Sequence, residues 1–217
     1  MHCFALFLAG IVFWFIQLGS VLTIVANISF TYLFISEFQV LKGLHPFGGY
    51  ANRATFLRLA GTMVLFSFSG ILNNLSIAVL LTLLISLDGL DGFLARRFKQ
   101  ETRFGANFDM ETDALFACFV SVMLFEKGLT GAWILPVGFL RYGYVILIYF
   151  LRMHRLPERR TKFGPAIAVI LFIALILPFV LPNNIYIPIL VTASVLVSFS
   201  FGWSFYLLIL EKQKITK

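Results

Sequence analysis

Apolar residues fall in long unbroken runs, and the polar positions gather in short stretches between them. Residues 1–35 form the first run, long enough for one spanning helix and too short for two comfortable ones. No basic region precedes it and no small-residue cleavage site follows, so a cleaved signal peptide is not expected. Residues 36–52, with Glu37, Lys42, His45, Pro46 and Gly48-Gly49, predict a loop. Further helices are predicted over 54–72, 75–98, 106–126, 131–152, 164–181 and 186–210. The turn Asn73-Asn74, the basic loop 99–105, Glu126-Lys127-Gly128, the basic segment 153–163 and Pro182-Asn183-Asn184 separate them. The pattern therefore predicts seven helices. Continuous rather than alternating apolar runs exclude a β-barrel.

Composition turns these helices into membrane spans. Of the 217 residues, 60% are hydrophobic and only 12% charged, and the mean hydropathy is +0.94. Soluble domains carry about 25% charged residues. Backbone polar groups in lipid must pair within the chain, which requires helices once a barrel is excluded. The expected fold is all-α, a polytopic membrane helix bundle.

The formal net charge is +7. The cations lie in the loops, which points to membrane orientation rather than to nucleic acid. Lys42, Arg53 and Arg58 flank one loop; Arg96, Arg97, Lys99 and Arg103 the next; Arg152, Arg155, Arg159, Arg160 and Lys162 a third; Lys212, Lys214 and Lys217 end the chain. Lys127 falls in an opposite-side loop and Arg141 within a span. These regions alternate correctly with seven spans, placing the basic loops in the cytoplasm and the N-terminus outside. The small size and the lack of organelle targeting suggest a prokaryotic inner or plasma membrane. Cys3 and Cys118 lie in apolar runs without metal-ligand spacing and read as buried small residues. His2, His45 and His154 do not cluster and read as interfacial, with no metal role.

Acidic residues change the picture. Asp88 and Asp91 are three apart at the end of one helix, and Asp109 and Asp113 four apart at the start of the next. Either spacing puts both carboxylates on one helix face. A short connecting loop makes the two helices antiparallel neighbours, so four carboxylates converge near the membrane surface. Such a cluster needs cations, and all-oxygen ligands suit Mg²⁺ or Mn²⁺. Two such ions hold a pyrophosphate and assist displacement at phosphorus. Glu111, two residues from either Asp of the second pair, points away from them to a neighbouring helix or a dimer partner.

Asp88-x2-Asp91-Gly92-x2-Ala95-Arg96-x8-Gly105-x3-Asp109-x3-Asp113 resembles the signature of the CDP-alcohol phosphotransferases, with all eight fixed positions present. The resemblance extends to Asn52-x2-Thr55-x2-Arg58 and to a six-helix core from about residue 50. It implies one extra N-terminal transmembrane helix and loop over 1–49 and a family domain over 50–217. It further implies transfer of a phosphatidyl group from a CDP-linked lipid donor, such as CDP-diacylglycerol, to an alcohol acceptor with release of CMP. Asp88, Asp91, Asp109 and Asp113 would hold metal, two ions in all, and Asp113 would be the catalytic base. Asn52, Asp88, Gly92, Ala95 and Arg96 would form the nucleotide site. A homodimer is expected, with its active site on the cytoplasmic side.

Arg141 sits mid-helix, where an arginine is costly unless it lines a polar cavity. Together with Arg152, Arg159, Arg160 and Lys162 it forms the candidate acceptor site. The competing reading for Arg141 is snorkelling or pairing with Glu126. Two other functions compete: transfer of a small phospho-alcohol from a soluble CDP-alcohol to a lipid, and cation- or proton-coupled transport.

Overall fold

The computed structural model describes residues 2–16, 19–43, 48–98, 102–153 and 163–216. Within its helices, side chains are described except at 15–16, 90–91, 94–96 and 214–216. Among the described residues all regular structure is helical. The order is α1 (His2–Ile16), α2 (Gly19–Ser36), α3 (Phe38–Lys42), α4 (Tyr50–Phe68), α5 (Asn74–Phe98), α6 (Arg103–Glu126), α7 (Leu135–Phe150), α8 (Gly164–Ile176) and α9 (Asn183–Thr216). Short 3₁₀ turns precede α7 and follow α8.

Helices α4 to α9 follow the predicted runs to within a few residues at most ends, and their starts have local causes. Asn73 Oδ1 accepts a hydrogen bond from the Ser76 amide, opening α5. Thr102 Oγ1 accepts from the Gly105 amide and caps α6. α7 and α8 each carry Pro in the first turn, where its missing N–H costs nothing.

The first apolar run is where the prediction fails. It forms two packed helices, not one. His2 contacts Ser29 and Phe30, so α2 doubles back along α1. A 15-residue helix is only about 22 Å long, and the run accommodates two helices because α1 falls short of a full span. The hairpin also reverses an expected orientation. His2 lies beside Glu111 near the start of α6, and Phe13 beside Phe125 near its end. α1 therefore runs parallel to α6, and its first residues lie at the aspartate end of the bundle rather than opposite it. The predicted 36–52 loop, in turn, contains the short helix α3 and the first turn of α4.

α6 is the central helix. Every residue from Ala114 to Leu124 is buried, as expected of a helix apolar on all sides. It packs against α4, α7 and α8. Outward faces of the other helices carry exposed Ile, Val, Leu and Phe, such as Ile28, Leu83, Ile173 and Phe199. In lipid that exposure is favourable. Three helical stretches among the described residues are long and apolar enough to cross a membrane: Gly19–Ser36, Ala132–Phe150 and Asn183–Gln213.

Candidate active site

Three helices bring the acidic cluster together, and α4 holds the central position. It packs against both α5 and α6, whereas α5 and α6 are not among the helix pairs in extensive contact. The expectation that α5 and α6 are close neighbours is therefore corrected. Their carboxylates nevertheless converge, because Arg58 of α4 pairs with those of both helices.

Asp88 projects from α5, and Asp109 and Asp113 from α6. Each offers an oxygen within 4.8 Å of the others. Asp91 lies one helical turn beyond Asp88 in α5, with its side chain outside the described set. Arg58 of α4 lies at the centre. One guanidinium nitrogen contacts Asp88, and Nη2 lies 2.9 Å from Asp109 Oδ1 and 2.8 Å from Asp113 Oδ1. Its side chain is 2% exposed, whereas those of the aspartates are 28–39% exposed. A buried cation thus faces three carboxylates that open toward solvent.

Among the described side chains, three carboxylates face one guanidinium, an excess of two negative charges. The donor set is all oxygen, which suits a hard divalent ion. The residues present therefore fit a divalent metal, with Asp88, Asp109 and Asp113 as its described ligands.

From this cluster a cavity of about 400 Å³ runs between α6, α7, α8 and α9. Asp88, Gly92, Asp109 and Asp113 line its acidic end, and Arg141, Tyr144 and Ser200 add polar groups among largely apolar walls such as Ala168, Val169 and Phe172. A polar head at the carboxylates and an apolar body along the walls would fill it.

A family profile described as CDP-alcohol phosphatidyltransferase matches residues 49–208. The chain belongs to the CDP-alcohol phosphatidyltransferase family. It is accordingly an integral membrane transferase of substituted phosphate groups, and it takes a CDP-alcohol and an alcohol acceptor as substrates. The family is typically dependent on a divalent metal, in accord with the acidic cluster. Family membership sets the transporter reading aside. No curated protein and no solved structure matches the chain.

The remaining predicted site residues divide by location. Asn52 is buried on α4. A Cβ on Gly105 would come within 2.9 Å of its Oδ1, so Gly105 lets the start of α6 close on Asn52. Ala95 and Arg96 lie in α5, with side chains outside the described set. Arg141 lines the cavity, as expected, and pairs with Glu111 at 2.7 Å rather than with Glu126. Glu111 turns away from the aspartates toward α7 and α1, also as expected. Arg152 is exposed just after α7. Arg159, Arg160 and Lys162 lie outside the described residues.

Arg58 is the site residue that sequence reasoning missed. It was assigned to a loop flank and to the positive-inside pattern. Its signal was present in the family-like triplet Asn52, Thr55 and Arg58, whose spacing of three puts all three on one helix face. Cys3 and His2 were also read too simply. Cys3 Sγ lies 3.4 Å from Glu111 Oε2, and His2 is packed against Ser29 and Phe30 beside the same carboxylate.

Proposed function

We propose that the protein transfers a phosphatidyl group from a CDP-linked lipid, such as CDP-diacylglycerol, to an alcohol, releasing CMP in phospholipid synthesis. The observation that carries this reading is the cavity that joins the three clustered carboxylates to long apolar walls. A lipid donor uses both ends of such a cavity, whereas a soluble CDP-alcohol leaves the walls to the lipid acceptor.

In the proposed reaction the acceptor hydroxyl oxygen attacks the donor phosphorus nearest the lipid. The bond from that phosphorus to the bridging oxygen breaks, and CMP carries the bonding pair away. Asp113 accepts the hydroxyl proton as general base. Mg²⁺ or Mn²⁺, two ions held by Asp88, Asp91, Asp109 and Asp113, would neutralise charge on the pyrophosphate and favour CMP as leaving group. Arg58 keeps the carboxylates together at the mouth of the cavity. Asn52, Asp88, Gly92, Ala95 and Arg96 are proposed to form the nucleotide site. Arg141 in the wall is proposed to bind the acceptor, with Arg152, Arg159, Arg160 and Lys162.

Residues 1–49 are proposed as an addition to a family domain over 50–217. We further propose a homodimer in a prokaryotic inner or plasma membrane, with the aspartate end facing the cytoplasm, where the basic loops belong. The test is CMP release by purified protein with CDP-diacylglycerol, a divalent ion and glycerol phosphate, inositol phosphate, inositol, serine or glycerol as acceptor. Release with one of them supports the reading. Release only from a soluble CDP-alcohol with a lipid acceptor would replace the donor assignment.

A further inference from the structure

A polar cluster outside the aspartate site joins the N-terminal helices to the wall of the cavity. Glu111 is at its centre, buried on the face of α6 turned away from Asp109 and Asp113. Its two carboxylate oxygens serve different helices. Oε1 accepts from Arg141 Nη2 of α7 at 2.7 Å. Oε2 lies 3.4 Å from Cys3 Sγ and 3.8 Å from His2 Nε2, both on α1. His2 is itself held: Nδ1 hydrogen-bonds the Ser29 hydroxyl, and the ring stands edge-on to Phe30, both on α2. Two residues before Arg141, α1 and α7 are in close contact, and a Cβ on Gly10 would run into the Phe139 ring. The family match begins at residue 49, so α1 and α2 lie outside it, yet α1 reaches Glu111, which in turn holds Arg141 of the cavity wall.

We propose that the N-terminal hairpin is a positioning element: Cys3 fixes Glu111, with His2 packed beside it, and Glu111 fixes the Arg141 guanidinium in the cavity wall, where it orients the acceptor. The role assigned to Arg141 rests on the transferase reading above. The physical basis is burial and preorganisation. The side chains of Arg141 and Glu111 are 17% and 11% exposed, so leaving either charge without its partner is strongly disfavoured. An arginine held in advance spares the substrate the entropy of ordering a long side chain. A guanidinium carries five N–H donors, so pairing with one oxygen of Glu111 does not exhaust it. Cys3 and Glu111 are positioning residues, since neither lines the cavity.

Two measurements test this on the full chain in detergent. The first is steady-state CMP release by Cys3→Ala and Glu111→Gln, with donor and acceptor varied separately. Ala keeps α1 helical and removes the thiol that reaches Glu111 Oε2. Each variant is expected to raise the acceptor KM about tenfold, with kcat and donor KM within about twofold. A fall in kcat at unchanged acceptor KM would overturn the inference. The second needs no turnover: thermal unfolding of wild type, Cys3→Ala, Arg141→Gln and the double variant. Cys3 reaches Arg141 through Glu111, so the two shifts should fail to add. Additive shifts would overturn the inference even in an active enzyme. Non-additive shifts in a wild-type protein that releases no CMP would support the cluster and count against the transferase reading.

Discussion

Arg58 is the side chain with the most to lose on substitution. Replacing it with Gln keeps a polar side chain on α4 and removes the cation that touches Asp88, Asp109 and Asp113. Opposite unit charges about 3 Å apart attract by roughly 5 kcal/mol at an effective dielectric near 20. Breaking a buried pair costs about 3–5 kcal/mol, because a charge is left uncompensated. The carboxylates are about a third exposed, which screens them and favours the lower end, near ~3 kcal/mol. In a chain of this size 1 kcal/mol shifts Tm by about 2–4 °C, so the metal-free variant should unfold ~6–12 °C below wild type. The guanidinium and a divalent ion meet the same oxygens. Millimolar Mg²⁺ should therefore stabilise Arg58→Gln more than wild type and close at least half the gap. Thermal unfolding in detergent, with EDTA or with Mg²⁺, reads both effects. An unchanged Tm in EDTA, or a gap of the same size with and without Mg²⁺, would refute the reasoning.

Three further outcomes are expected. Asp113→Asn should lower kcat by about 10²–10⁴, the usual worth of a positioned general base, while Tm with Mg²⁺ stays within a few degrees of wild type; steady-state CMP release and thermal unfolding check this together. Gly138→Ala should destabilise by about 1–3 kcal/mol, because its Cβ would lie 2.8 Å from Ser121 Cβ and 3.0 Å from the Cys118 backbone at the α6–α7 contact; a Tm equal to wild type would show that α6 and α7 do not pack this closely. Thr102→Ala removes the cap of α6 and should cost ~1 kcal/mol. Thr102→Ser should restore most of that loss in the same Tm assay.

Much of this was legible in the chain. Long apolar runs placed α4 to α9 because continuous hydrophobicity leaves a membrane helix no alternative structure. Eight fixed residues between Asp88 and Asp113 pointed to the family, since carboxylates at offsets of three and four have few structural uses beside lipid. Arg141 and Glu111 were legible one at a time, the first because a mid-helix arginine needs a polar cavity, the second from its rotation away from the aspartates. Their pairing was not, because helix rotation fixes direction and not partner.

Three features escaped because they depend on packing between distant segments. A largely apolar run of 35 residues fits one long helix or two short ones equally well in hydropathy, and contact with Ser29, Phe30 and Glu111 selects the hairpin. That choice also reverses the side on which α1 begins. The place of α4 between α5 and α6 has no sequence signal at all, since those helices are consecutive and their loop is short. Arg58 was hidden for a related reason. Counting cations for topology treats every arginine near a helix end as a loop residue, and the aspartates lie far from it in sequence.

The central claim is that the carboxylate cluster and its cavity form a metal-dependent CDP-alcohol transfer site. The most direct measurement is CMP release by purified protein given CDP-diacylglycerol and the acceptor panel, with Mg²⁺, with Mn²⁺ and with EDTA, and with Asp113→Asn alongside. The account predicts release that requires both a divalent ion and one acceptor, and that is lost in Asp113→Asn. Release near the wild-type rate in EDTA or in Asp113→Asn, or no release from a folded protein that binds the ion, would contradict it.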